Sequence, residues 1–162
     1  MKGGLGSASV GLDGGLVVAA LAAVNAFGDI RDPGSGEVLA GPRLEDGTIG
    51  DTVELLPEAA SRLRWTENTT LGIVATNAGL SKSGANKVAQ MAHHGLARVV
   101  HPVHTSVDGD VVFAASVSAI DTATDIVGAW GARVMQEAIL RAVRAAEGVP
   151  GIPSASEYRS KG

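Results

Sequence analysis

Asn68-Thr69-Thr70 sets a hydroxyl nucleophile beside an amide bond that it could break. A threonine Oγ that attacks the preceding carbonyl carbon forms an ester, and water opens the ester. Thr69 would then carry both a hydroxyl and an α-amine. Such an amine, with a pKa of about 7.7–8.0, can take the proton of its own hydroxyl and act as its base. Asn68 tolerates left-handed backbone geometry, which suits a strained scissile bond. The same three residues also match a glycosylation acceptor, and threonine is common at strand starts. Asp108-Gly109-Asp110 puts two carboxylates on one tight turn. They could orient an ammonium and a hydroxyl through charge-assisted hydrogen bonds, or share a proton. A solvated loop is the plainer reading. Asn25 ends the most apolar stretch, where an amide needs partners. It can bond backbone there, or donate to a developing oxyanion.

Other chemistries find little support. Four histidines are present, at 93, 94, 101 and 104. His101 and His104 could share a metal, but no acidic residue stands at a standard zinc spacing, so no metal is expected. His93 and His94 are expected to face solvent. Gly3-Gly4-Leu5-Gly6 precedes a strand rather than opening a helix, so it is no dinucleotide fingerprint, and no cofactor is expected. Gly79-Leu80-Ser81-Lys82-Ser83 fails the nucleophile-elbow pattern at its last position. Without cysteine there are no disulfides and no thiol catalysis. Thirteen basic and 17 acidic residues give a formal charge of −4. With no basic run, binding to nucleic-acid phosphates is not expected. The apolar stretch from Leu16 to Ala26 is about half of what a bilayer crossing needs, so no membrane partner is expected either. With no secretory signal, the expected location is the cytoplasm.

The elements that must position these residues read as an α/β layer structure for a single domain over 1–162. Leu5 to Leu12 is a glycine-rich strand, and Asp13-Gly14-Gly15 signals a hairpin turn. Leu16 to Val24 is so apolar that it reads as a central strand covered on both faces. Residues 29–66 hold scattered Gly and Pro and read as a long exposed or movable loop, with one short helix from Glu58 to Leu63. Thr69 to Thr76 is a buried strand. Ser81 can cap a helix over Gly84 to Val100, with Val88, Met91, Ala92, Leu96 and Val99 at helical spacing. His101 to Gly109 is a loop, Val111 to Val117 a strand and Thr122 to Glu147 a long helix. Val127, Trp130, Val134 and Ala138 form its stripe, and Gly148 and Pro150 stop it. The tail from Gly151 reads as frayed. Twenty-two glycines in 162 residues, with 3% aromatics, require an Ala/Val core with closely approaching backbones.

Taken together, three blocks resemble one hydrolase family. They are Asn68-Thr69-Thr70-Leu71-Gly72-Ile73-Val74-Ala75-Thr76-Asn77, the block Pro102-Val103-His104-Thr105-Ser106-Val107-Asp108-Gly109-Asp110-Val111-Val112-Phe113, and Lys2-Gly3-Gly4-Leu5-Gly6-Ser7-Ala8-Ser9 followed by Ala23-Val24-Asn25-Ala26. The family is that of the self-cleaving N-terminal-nucleophile hydrolases similar to L-aminopeptidase/D-esterase. It includes β-aminopeptidases and the endo-type 6-aminohexanoate-oligomer (nylon-oligomer) hydrolase. The resemblance runs from about Lys2 to Ala142.

The resemblance implies a layered αββα sandwich matured by autocatalytic cleavage between Asn68 and Thr69. Residues 1–68 would end the first chain, and 69–162 would form the second, with Thr69 as nucleophile. Asn25 matches the family's oxyanion-side asparagine. Asp108 and Asp110 match its acidic pair, which positions the nucleophile's hydroxyl and amine. The implied activity is hydrolysis of small peptides, amides or 6-aminohexanoate oligomers by a homo-oligomer. Family members carry a further segment before the Lys-Gly-Gly block, with several strands, much of the substrate pocket and a catalytic lysine. This chain begins at Met1, after that point, so a partial hydrolase domain is expected. Two alternatives stand beside this reading. One is a non-catalytic remnant or subunit that folds or assembles without activity. The other is an acyltransferase of the ornithine acetyltransferase type.

Overall fold

Alternation of buried and more exposed positions along the strands marks the main sheet. In the computed structural model, which describes residues 1–59 and 68–159, β1 (Leu5–Gly11) and β2 (Val17–Ala23) form an antiparallel hairpin. The connection is a single 3-10 turn in which Gly14 and Gly15 take φ of 74° and 78°, a backbone that glycine adopts without a Cβ penalty. β2 pairs antiparallel with β5 (Leu71–Ala78), and β5 pairs parallel with β7 (Val111–Ile120). The order across the sheet is β1-β2-β5-β7.

A parallel pair needs a crossover, and α2 (Lys82–Ala97) supplies it. The Ser81 hydroxyl caps α2 by accepting from the Gly84 amide at 3.1 Å, as its sequence position foretold. After β7 the chain turns into α3 (Thr124–Arg144), which lies along β1 and β2 and packs on α2. Val127, Val134 and Ala138 of the expected α3 stripe are buried, together with Met135, Ile139 and Val143. Trp130 is only half-buried at the margin, where the Arg133 guanidinium lies 5.2 Å from its ring centre. The approach of α3 to the sheet depends on glycine. A Cβ at Gly6 would stand 2.3 Å from the Ala138 carbonyl oxygen. A Cβ at Gly95 would stand 2.4 Å from that of Ala132. Helix backbone thus rests almost directly on strand and helix backbone, which explains how an Ala/Val core with few aromatics fills its volume.

Only one face of the sheet is closed in this way. Val18, Ala20 and Ala22 point into the core, while Val17 and Leu21 are each 42% exposed. The expectation that β2 is covered on both faces is therefore corrected. Both helices lie on one side, and β2 alternates as a half-buried strand does. Its apolar outward residues belong to a wider open face with Leu5, Leu71, Phe113 and Val117.

The stretch 29–66 departs from the expected loop. It contains β3 (Asp29–Arg31), β4 (Val38–Ala40) and α1 (Thr52–Ala59). With β6 (Val100–His101), β3 and β4 make a second sheet ordered β4-β3-β6. A buried acidic residue organises it. The Asp29 carboxylate, fully enclosed, accepts from Arg31 Nε at 2.6 Å and from the Thr52 amide at 2.8 Å. Arg31 also reaches Asp51, whose other oxygen caps α1 by accepting from the Val53 amide at 2.8 Å. The cap at Asp51 starts the helix six residues before the expected Glu58, and residues 60–63 of that expectation lie outside the described residues. Strands as short as three residues leave no legible alternation, which is why this sheet was hidden. The tail folds back as α4 (Ala155–Arg159), with Ser154 and Ala155 buried.

Candidate active site

Three chain segments converge just before β5, because the two ladders that flank β5 run on past its end. On the β2 side, the Thr69 amide donates to the Asn25 carbonyl oxygen at 2.8 Å. On the β7 side, Asn68 bridges in parallel to Asp108. There the Gly109 amide donates to the Asn68 carbonyl oxygen at 2.8 Å, and the Val111 amide to the Thr70 carbonyl at 3.1 Å. The Asn68–Thr69 peptide is thus held from both sides by main-chain hydrogen bonds. Thr69 is half-buried and Thr70 wholly buried.

Gly109 has a specific reason to be glycine. A Cβ there would stand 2.8 Å from Thr69 Oγ1. The hydroxyl therefore rests against bare backbone in the middle of the Asp108-Gly109-Asp110 turn. Asp110 is nearly enclosed, with its side chain 4% exposed. One of its oxygens accepts from the Thr70 amide at 2.8 Å, and the other faces His104 Nδ1 at 3.1 Å. Asp108 is fastened by Thr105, whose amide and hydroxyl both donate to one carboxylate oxygen, at 3.1 and 2.7 Å.

Asn25 reaches this point through its backbone, and it is also among the residues lining an adjacent cavity of about 360 Å³. Apolar residues make much of the wall, including Phe27, Ile30, Leu55 and Leu56, with Lys2 and Thr52 among the polar lining. The Thr52 hydroxyl is buried without a hydrogen-bond partner among the described residues. The Lys2 ammonium donates to the Gly3 carbonyl at 3.0 Å.

The four residues singled out by type and spacing, Asn25, Thr69, Asp108 and Asp110, therefore lie in one neighbourhood, with Asn68 among them. In the continuous chain the carboxylates hold Thr70, His104 and Thr105 rather than Thr69 itself. Two contributors escaped the sequence reading. Thr105 was legible, since threonine three residues before aspartate is a local side-chain-to-backbone pattern. His104 stands near His101 in the sequence, yet its partner is His93 from α2: Nε2 of His104 lies 3.2 Å from His93 Nδ1. No spacing in the chain announces that contact. His93 is accordingly half-buried rather than solvent-facing, while His94 is exposed. Burial, then the neighbouring His104, pushes the His93 pKa below its ordinary value. Among the described residues, no three His, Asp or Glu side chains are grouped to hold a metal ion. No helix among them is long and apolar enough to cross a membrane.

Residues 1–156 match peptidase family S58. An uncharacterized aminopeptidase of Mycobacterium leprae is 37% identical over 178 residues, covering 95% of this chain and 48% of the relative. A 6-aminohexanoate-oligomer endohydrolase of a Kocuria species is 27% identical over 148 residues, covering 81% of this chain and 42% of that enzyme. Among solved structures, an L-aminopeptidase D-Ala-esterase/amidase of Ochrobactrum anthropi, a variant of the Ntn hydrolase fold, superposes with a TM-score of 0.66 at 21% identity. That match covers 98% of this chain and 46% of the Ochrobactrum one, which establishes a shared fold. The chain spans about half the length of the curated relatives it matches. By this match over nearly its whole length, the chain belongs to peptidase family S58.

Proposed function

We propose that this chain carries the nucleophile of a self-processing amide hydrolase, that the bond it cuts in itself is Asn68–Thr69, and that Thr69 then attacks substrate. The observation that carries this reading is the seat of the peptide. The Asn68 carbonyl oxygen accepts the Gly109 amide at 2.8 Å, and the Thr69 hydroxyl lies against the same glycine. A donor already aimed at that oxygen stabilises the negative charge it gains when Thr69 Oγ1 attacks the carbon. The C–N bond breaks as the C–O bond of the ester forms, and the Thr69 nitrogen takes the proton. Water then releases the Asn68 carboxylate.

In the processed form the Thr69 amine keeps the Asn25 carbonyl as acceptor for one N–H. Its lone pair is left for the hydroxyl proton. Asp110 holds the next amide, at Thr70, so the nucleophile's main chain is fixed on both sides. The cavity beside Asn25 receives the acyl part of the substrate. Its aliphatic wall suits a small peptide, an amide or an aminohexanoyl chain, and the unpartnered Thr52 hydroxyl offers a hydrogen bond to a polar end. In this reading the Asn25 side-chain amide would donate to the substrate's oxyanion.

N-terminal sequencing with intact-mass measurement tests the reading. The expected result is two fragments, 1–68 and 69–162, the second beginning Thr-Thr-Leu, and none from Thr69→Ala. A single undivided mass after prolonged incubation of the wild-type chain overturns it. A second reading, a scaffold that assembles without turnover, is favoured by the open apolar face around Leu21, Phe113 and Val117. Defined oligomers that show no division and no amide hydrolysis would establish that alternative.

A further inference from the structure

Asp110, His104 and His93 form a continuous hydrogen-bonded chain from the residue after the candidate nucleophile to the surface of α2. Asp110 Oδ1 holds the Thr70 amide at 2.8 Å. Its Oδ2 faces His104 Nδ1 at 3.1 Å, and His104 Nε2 faces His93 Nδ1 at 3.2 Å, the two rings meeting edge to face. His104 attains this geometry with a positive φ of 54°, which a non-glycine residue adopts only when its surroundings compensate.

Where a carboxylate oxygen of Asp110 accepts, the Nδ1 of His104 carries the hydrogen. The ring's other nitrogen is satisfied in either charge state. Neutral His104 accepts from His93 Nδ1–H, and protonated His104 donates to His93. One proton can therefore enter or leave without breaking the chain. The titratable groups in contact with His104 are Asp110 from its own loop and His93 from α2. His94 and Asp110 act on His93 in opposite senses.

We propose that His104, backed by His93, is a positioning residue for Thr69: through Asp110 it sets how firmly the Thr70 amide is held, and so links the nucleophile's main chain to a proton exchanged at the surface. The consequence for catalysis rests on the self-processing reading, but the linkage itself does not.

The test has two arms. In Thr69→Ala, where the chain stays continuous, the Thr70 amide signal and the His104 ring signals are followed by NMR against pH. The Thr70 amide is expected to shift with the same midpoint as the His104 ring. In His104→Asn, whose side chain accepts a left-handed backbone and can still donate to Asp110, the Thr70 signal is expected to stay flat through that range. A Thr70 amide indifferent to His104 titration overturns the linkage, as does an unaltered response in His104→Asn. In the second arm, division at 68–69 is timed against pH. His104→Ala is expected to be about 100-fold slower than wild type and His104→Asn within about tenfold, without the histidine limb of the profile. Equal rates and profiles for all three overturn the catalytic consequence. Absence of division in the wild type overturns the self-processing reading instead, and leaves the NMR arm to decide the linkage.

Discussion

The helix-covered face of the main sheet and the ends of its strands use glycine for opposite purposes. Beneath α3, Gly6 lets one backbone lie on another, with only 2.3 Å from a notional Cβ to a helix carbonyl. The consequence of that closeness is cohesion. At the strand ends, Gly109 clears space above the turn for a side-chain hydroxyl, with 2.8 Å from its notional Cβ to Thr69 Oγ1. The consequence there is room for the hydroxyl that we propose as the nucleophile. The same absence of a Cβ lets backbones meet in one place and makes room for a side-chain hydroxyl in the other, and the two should respond differently to the same substitution.

Gly6→Val should have the largest effect. It drives a side chain into α3 backbone that cannot move independently, and thermal or denaturant unfolding should show a loss of about 3 kcal/mol. Gly109→Ala should leave unfolding almost unchanged and slow the proposed division at 68–69 about 100-fold, because a Cβ there displaces the Thr69 hydroxyl by a fraction of an ångström to an ångström. If Gly109→Ala destabilises the fold as much as Gly6→Val does, the contrast between the two glycines fails.

A smaller effect concerns pH. The His93 pKa is lowered in the folded protein by burial and by His104. The unfolded chain therefore binds a proton at a higher pH than the folded one does. Stability is unaffected above the unfolded value, near 6.5, and declines as pH falls from there towards the folded value, below which the loss is constant. His93→Gln should flatten that decline in unfolding midpoints measured across the same range. The smallest effect is expected on the open face. Phe113→Ser, at a position 59% exposed, should change stability by no more than about 0.5 kcal/mol. It should also reduce self-association, as read by light scattering, because the apolar patch shrinks.

Much of the main sheet was legible because alternation and turn chemistry are local. β1, β2, β5, β7 and the two long helices fall close to where the residues alone put them. The small sheet was not legible, since β3, β4 and β6 are held by pairing across distant segments and by the buried Asp29. The site divides along the same line. Thr69, Asp108 and Asp110 announce themselves by type and by position at strand boundaries. The meeting of His93 with His104 does not, because it depends on where α2 lies against the loop.

The sequence by itself determined which residue types were available for chemistry and where the strands of the main sheet and the two long helices run, since both follow from side-chain chemistry and from near-neighbour periodicity. Tertiary structure alone decided that β2 is covered on one side. It also decided that the backbone oxygen of Asn25 takes the Thr69 amide, and that a histidine on a helix completes the hydrogen-bonded chain behind Asp110. Those outcomes depend on the relative placement of elements far apart in the chain, which packing sets and local pattern does not encode.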